Sequence, residues 1–106
     1  MDDQERVTLQ IADGVVSVLF LDSHLNSIPH DNEPWKSIEI ALQSQASKTL
    51  VLDFSNVTFL SSSVLGKIVG LKRKFGGEIA LQHLSEMLTE VFRVTGLNRL
   101  FVLKAQ

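Results

Sequence analysis

Cysteine is absent from all 106 residues, which excludes disulfides, thiolate-held metals and thiol catalysis. The absence fits a reducing compartment, and a cytoplasmic location is the expectation. A basic surplus is missing too: 10 Lys and Arg stand against 12 Asp and Glu, a formal net charge of −2. General nucleic-acid binders show the opposite balance, because phosphate contacts dominate their affinity. The opening Met1-Asp2-Asp3-Gln4-Glu5 is acidic and leads into no apolar core, so no secretory signal is visible. The strongest apolar stretch, Val15 to Leu21, is interrupted by Ser17 and is far too short to span a bilayer. No Gly-x-x-x-x-Gly-Lys-Ser/Thr, Gly-x-Gly-x-x-Gly or Gly-x-Ser-x-Gly occurs, so there is no Walker loop, dinucleotide fingerprint or nucleophile elbow. The expectation is a non-enzyme with no cofactor.

What remains is a chain that is 44% apolar, long enough for one compact domain over residues 1–106. A domain of this size buries roughly 60–70% of its unfolded surface. Val7, Leu9 and Ile11 alternate with Thr8 and Gln10, the period of a half-buried strand. Asp13-Gly14 is a strong hairpin signal, and Val15 to Leu21 reads as the return strand, apolar enough to predict cover on both faces. An irregular stretch from Asp22 to Asp31 contains Pro29. A first helix is predicted from about Asn32, with Pro34 tolerated in its first turn, and Trp35, Ile38, Ala41, Leu42 and Gln45 at helical spacing. Leu50 to Phe54 looks like a central parallel strand. A second helix starts around Ser61 to Ser63 and runs to Phe75, where Lys72-Arg73-Lys74 complement the dipole and Gly76-Gly77 provide the stop. Glu78 to Gln82 is a strand. Leu84, Met87, Leu88, Val91 and Phe92 then predict a third helix capped near Gly96, before a last strand from Leu100 to Leu103. The class is α/β, with an N-terminal hairpin, a mixed sheet and helices packed mainly on one face.

Few residues invite chemistry. His24, His30 and His83 are scattered, with no pair at ligand spacing, so no metal site is expected. Lys67, Lys72, Arg73 and Lys74 read as a solvated helix end rather than a phosphate patch. One segment stands out, Asp53-Phe54-Ser55-Asn56-Val57-Thr58-Phe59-Leu60-Ser61-Ser62-Ser63-Val64-Leu65-Gly66. A serine is a favoured N-cap, worth about 1 kcal/mol, but one cap needs one hydroxyl and three stand in a row. A helix N-terminus also tolerates a phosphate, through its free N–H groups and positive dipole end. A phosphoserine there would be accepted by its own fold and felt mainly by a docked partner.

On this segment, and on the order of elements over essentially the whole chain, the sequence resembles STAS domains, the fold of bacterial anti-sigma-factor antagonists. The family's loop runs aspartate, phosphorylatable serine, serine, glycine, leucine, glycine. The resemblance places Ser61 at the aspartate and Ser62 at the phosphorylated serine. Ser63 follows, Val64 replaces a glycine, and Leu65-Gly66 match. The family's Gly-x-Leu-Asp landmark falls on Ser23-His24-Leu25-Asn26, so Asn26 stands where a carboxylate is usual, while Asp53 is retained. Ser61 and Asn26 together make the surroundings of Ser62 less negative than the family pattern. The resemblance implies binding of an anti-sigma factor/serine protein kinase through Asn26, Asp53, Ser61, Ser62, Ser63 and Val64, with phosphorylation at Ser62. Its alternative is a non-phosphorylated scaffold or accessory subunit of a signalling or lipid-transport assembly. Either way a signal-transducing protein without membrane insertion is implied, and a dimer is left open.

Overall fold

Asp13 and Gly14 both adopt positive φ, 54° and 77°, the conformations a type I′ turn demands. The turn folds strand β1 (Val7–Ala12) antiparallel onto β2 (Val15–Phe20), with Ala12 opposite Val15 and Val7 opposite Phe20. The structure, a computed structural model, describes residues 7–25, 35–44 and 49–103. Within them β3 (His24–Leu25), α1 (Trp35–Ser44), β4 (Thr49–Asp53), β5 (Phe59–Leu60), α2 (Ser62–Phe75) and β6 (Glu78–Gln82) follow in order. Then come α3 (Glu86–Val94), a 3-10 turn (Leu97–Arg99) and β7 (Val102–Leu103). The main sheet runs β1-β2-β4-β6-β7, and every pairing after the hairpin is parallel. β3 and β5 form a separate parallel pair.

Strand alternation sorts the side chains. Val16, Val18 and Phe20 of β2, Leu50 and Leu52 of β4, and Ile79 and Leu81 of β6 are all 0% exposed. They share one cluster with Trp35, Ile38 and Leu42 of α1, Val64, Ile68 and Leu71 of α2, and Leu88 and Phe92 of α3. Phe20 stacks on Phe54 with centroids 5.2 Å apart and meets Trp35 at 5.8 Å, tying the hairpin to the central strand and to α1. The helices therefore cover one face of a mixed sheet, as the sequence predicts. Full cover on both faces of β2 does not hold: Val15, Ser17 and Leu19 are only half-buried, whereas Val16, Val18 and Phe20 are fully buried.

Other expectations shift in detail. α3 begins at Glu86, because the Ser85 hydroxyl accepts from the Leu88 amide at 3.1 Å and fixes the start there. Leu84 is buried ahead of that helix, whereas Met87 is 65% exposed and leaves the apolar stripe. Gly96, at φ 79°, follows the last turn of α3 and opens the 3-10 turn, which shortens the final strand to two residues. β3 and β5 had no predicted counterpart. The expected helix start at Asn32, with Pro34, and the helical position at Gln45 lie outside the described residues, as do Pro29 and His30. Gly76 ends α2 at φ 75°, its N–H on the Lys72 carbonyl at 3.3 Å, while Lys72 Nζ donates to the Gly77 carbonyl at 2.9 Å. Among the described residues, no helix is long and apolar enough to cross a membrane.

Phe20 is fully buried between Phe54 and Trp35, so Phe20→Ala should cost about 3–5 kcal/mol of stability. Chemical denaturation should show a lower midpoint with an unchanged slope.

Candidate functional site

The polypeptide between β4 and α2 is held by the segment that follows β2. One carbonyl, that of Ser23, accepts from the Thr58 amide at 2.7 Å, the Phe59 amide at 3.2 Å and the Thr58 hydroxyl at 3.1 Å. Asn56 Nδ2 donates to the Phe20 carbonyl at 3.0 Å, and the Ser61 amide to the Leu25 carbonyl at 3.0 Å. These bonds lay β5 beside β3 and deliver the start of α2 next to Leu25. Asn26, the following residue, lies outside the described residues.

Ser61 is the N-cap of α2, in extended conformation at φ −77°, ψ 160°, and its hydroxyl accepts from the Val64 amide at 3.2 Å. One serine thus does the capping, and it is the first. Ser62 and Ser63 occupy the first helical positions with exposed side chains. The first turn of α2 contains no acidic residue, so no carboxylate of its own offsets the positive end of the helix dipole. Phe59 is 44% exposed on the adjacent strand, its ring 5.8 Å from that of His24. Sequence reasoning did not single out Phe59 or His24 as surface groups of the site, since two-residue strands carry no readable period. The site is an exposed serine pair at a helix N-terminus, flanked by a partly exposed aromatic.

Two expected members separate from this group. Val64 is 1% exposed, so its branched side chain faces the core with Ile68 and Leu71 and offers nothing to a partner. Asp53 lies opposite Leu19 and Gln82 in the ladder, out of step with Leu52, so alternation turns it to the sheet face away from the helices. There it lines a shallow depression with Ser17, Val51 and Gln82. Its carboxylate accepts from the Ser55 amide at 2.9 Å and from His83 Nδ1 at 3.0 Å. An ionised carboxylate can only accept, so Nδ1 of His83 carries the proton. Burial pushes the Asp53 carboxyl upward, but the hydrogen bonds from His83 and Ser55 and the His83 charge outweigh it and hold the group below its ordinary 3.8. His83 itself sits at φ 60°, in the left-handed region.

With this geometry in place, comparison with known proteins identifies the class. The family model for the STAS domain matches residues 6–106, and the chain belongs to that family. Its structure is similar to that of the anti-sigma factor antagonist SpoIIAA in its unphosphorylated form, at a TM-score of 0.70 and 21% identity, covering 94% of this chain and 88% of that one. The phosphorylated form of the Bacillus cell fate determinant SpoIIAA gives a TM-score of 0.68 and 23% identity, with coverage of 94% and 92%. An anti-sigma factor antagonist from Mycobacterium paratuberculosis gives 0.75 and 22%, with coverage of 94% and 85%. No curated protein sequence matches the chain.

The capping geometry predicts that Ser61→Ala lowers stability by about 1 kcal/mol, whereas Ser62→Ala and Ser63→Ala stay within about 0.5 kcal/mol of wild type. Thermal unfolding of the single variants separates them. Because the folded-state pKa of Asp53 lies below 3.8, its contribution is present above that pH and is lost as pH falls through the lower, folded value. Asp53→Asn should therefore be less stable at neutral pH and lose less stability on acidification below pH 3.8. Urea midpoints measured across pH check this.

Proposed function

We propose that this chain is a protein-binding switch of the anti-sigma-factor-antagonist type, with Ser62 as its phosphoacceptor. The reading rests on one observation: Ser61 caps α2, which leaves the exposed Ser62 beside it outside the cap. Membership of the STAS family and likeness to anti-sigma factor antagonists, one of them in a phosphorylated form, support it.

In the unphosphorylated state the first turn of α2 and the neighbouring Phe59 dock on an anti-sigma factor or serine kinase and sequester it. Phe59 supplies apolar contact area, and Ser62 and Ser63 supply adaptable hydrogen bonds. A phosphate on Ser62 gains from the helix N-terminus, so the fold accepts it. The docked partner instead meets a charge of about −1.5 to −2 inside the interface. A loss of about 3 kcal/mol weakens binding more than a hundredfold. The absence of acidic residues from the first turn makes that charge change large relative to its background.

Phosphopeptide mass spectrometry on protein from its native host, in growth and under stress, is expected to find condition-dependent phosphate on Ser62, in the tryptic peptide ending at Lys67. Peptide unmodified in every condition would instead support a constitutive scaffold. With a partner recovered on the wild-type chain, Ser62→Asp should bind at least a hundredfold more weakly while unfolding at the wild-type temperature. Equal binding by Ser62→Asp refutes the switch.

A further inference from the structure

β1 lies at one edge of the main sheet, hydrogen-bonded to β2 alone among the described strands. Its sequence, Val-Thr-Leu-Gln-Ile-Ala, has no charge, proline or glycine. Charge and proline are among the devices by which soluble proteins keep an edge strand from pairing, and this strand carries neither. The hairpin decides which backbone groups are free. A two-residue turn makes Ala12 and Val15 a hydrogen-bonded pair, and antiparallel ladders alternate, so Thr8, Gln10 and Ala12 use their groups on β2. The N–H and C=O groups of Val7, Leu9 and Ile11 then point outward from the sheet.

The same residues stand opposite Phe20, Val18 and Val16, on the helix-covered face. Their burial is incomplete: Val7 and Leu9 are half-buried and Ile11 is 44% exposed. One row of residues therefore carries both the free backbone groups and the uncovered apolar surface.

We propose that this edge pairs with β1 of a second copy of the chain, antiparallel about a two-fold axis through Leu9. The register follows from the strand itself. Pairing must join outward-directed residues on the same face, and centring on Leu9 engages the whole row. It sets Leu9 opposite its symmetry mate and Val7 opposite Ile11 of the partner subunit, each pair exchanging both backbone hydrogen bonds. An axis through Thr8 or Gln10 would leave one outward residue of each strand unmatched. On the other face, Thr8 meets Gln10 of the partner subunit, a polar pair at a solvated surface. A second copy thus completes both faces, apolar against apolar and polar against polar, and the uncharged edge offers nothing to select a charged partner strand. The two sheets become one continuous sheet with all helices on the same side.

The full-length chain, analysed by size-exclusion chromatography with light scattering, is expected to run as a dimer that dissociates on dilution. Thr8→Lys/Gln10→Lys places like charges opposite one another twice and should raise the dissociation constant roughly tenfold or more. Thr8→Lys/Gln10→Glu should restore dimerisation through opposite charges. Both positions are exposed in the monomer, and circular dichroism with thermal unfolding verifies that each variant folds. In this cysteine-free chain, Leu9→Cys should form an intersubunit disulfide under mild oxidation, while Gln10→Cys, displaced from its mate, should not. A monomer at every concentration overturns the proposal. A dimer indifferent to the lysine pair and lacking the Leu9→Cys cross-link overturns it also, assigning dimerisation to another surface. A monomer whose β1 amides become protected from exchange only when a different protein is bound overturns it in favour of that protein's strand.

Discussion

β4 sits between β2 and β6, parallel to both, and this central position constrains the rest of the molecule. Its register sets Leu50 and Leu52 against the helices and leaves Val51 and Asp53 on the open face. Parallel strands need crossovers, and because the order β2-β4-β6-β7 advances in one direction, right-handed crossovers put the helices that follow β4 and β6 on the same side. Where β4 ends, Phe54 remains in the core on Phe20, and its amide bonds the Gln82 carbonyl at 2.9 Å, so the exit is anchored to both neighbouring strands. The approach to α2 inherits that anchor. The serines stand where they do because the strand beneath them cannot slip by one residue without turning its leucines into water.

Much of this was legible in the sequence because it is periodic or punctuated. The Asp13-Gly14 turn, the β6 bounds and the Gly76 stop each rest on local chemistry that acts alike in any context. The misses share a different cause. β3 and β5 are two residues long and owe their pairing to the Ser23 carbonyl, a long-range contact with no trace in spacing. Met87 fits a helical stripe, yet the Ser85 cap begins the helix so that Leu88 and Phe92 carry the burial. For Val64 and Asp53 the positions were identifiable but the directions of their side chains were not. Direction depends on where a helix starts and on the parity of a strand, and each turns on a single residue.

A related economy governs the electrostatics of the site. The positive end of α2 is answered by a neutral hydroxyl rather than a carboxylate. The nearby acid, Asp53, is turned to the other side of the sheet and engaged by Ser55 and His83. Any anion brought to the first turn of α2 therefore meets a helix end not already neutralised from within that turn, and a change of charge there is expressed at the surface rather than absorbed by internal pairing.

The capping role of Ser61 has an evolutionary corollary. Because the residue that secures the helix and the residue beside it that faces solvent are different, the two are under separate selection. Position 61 is restricted to the few side chains that can cap, whereas position 62 is nearly free as far as folding is concerned. A lineage could lose the hydroxyl at position 62, or trade it for a permanent charge, without first surviving a loss of stability. Among descendants of this chain, retention of serine at position 62 would record selection for what that hydroxyl does to other molecules, with folding making no contribution to the record.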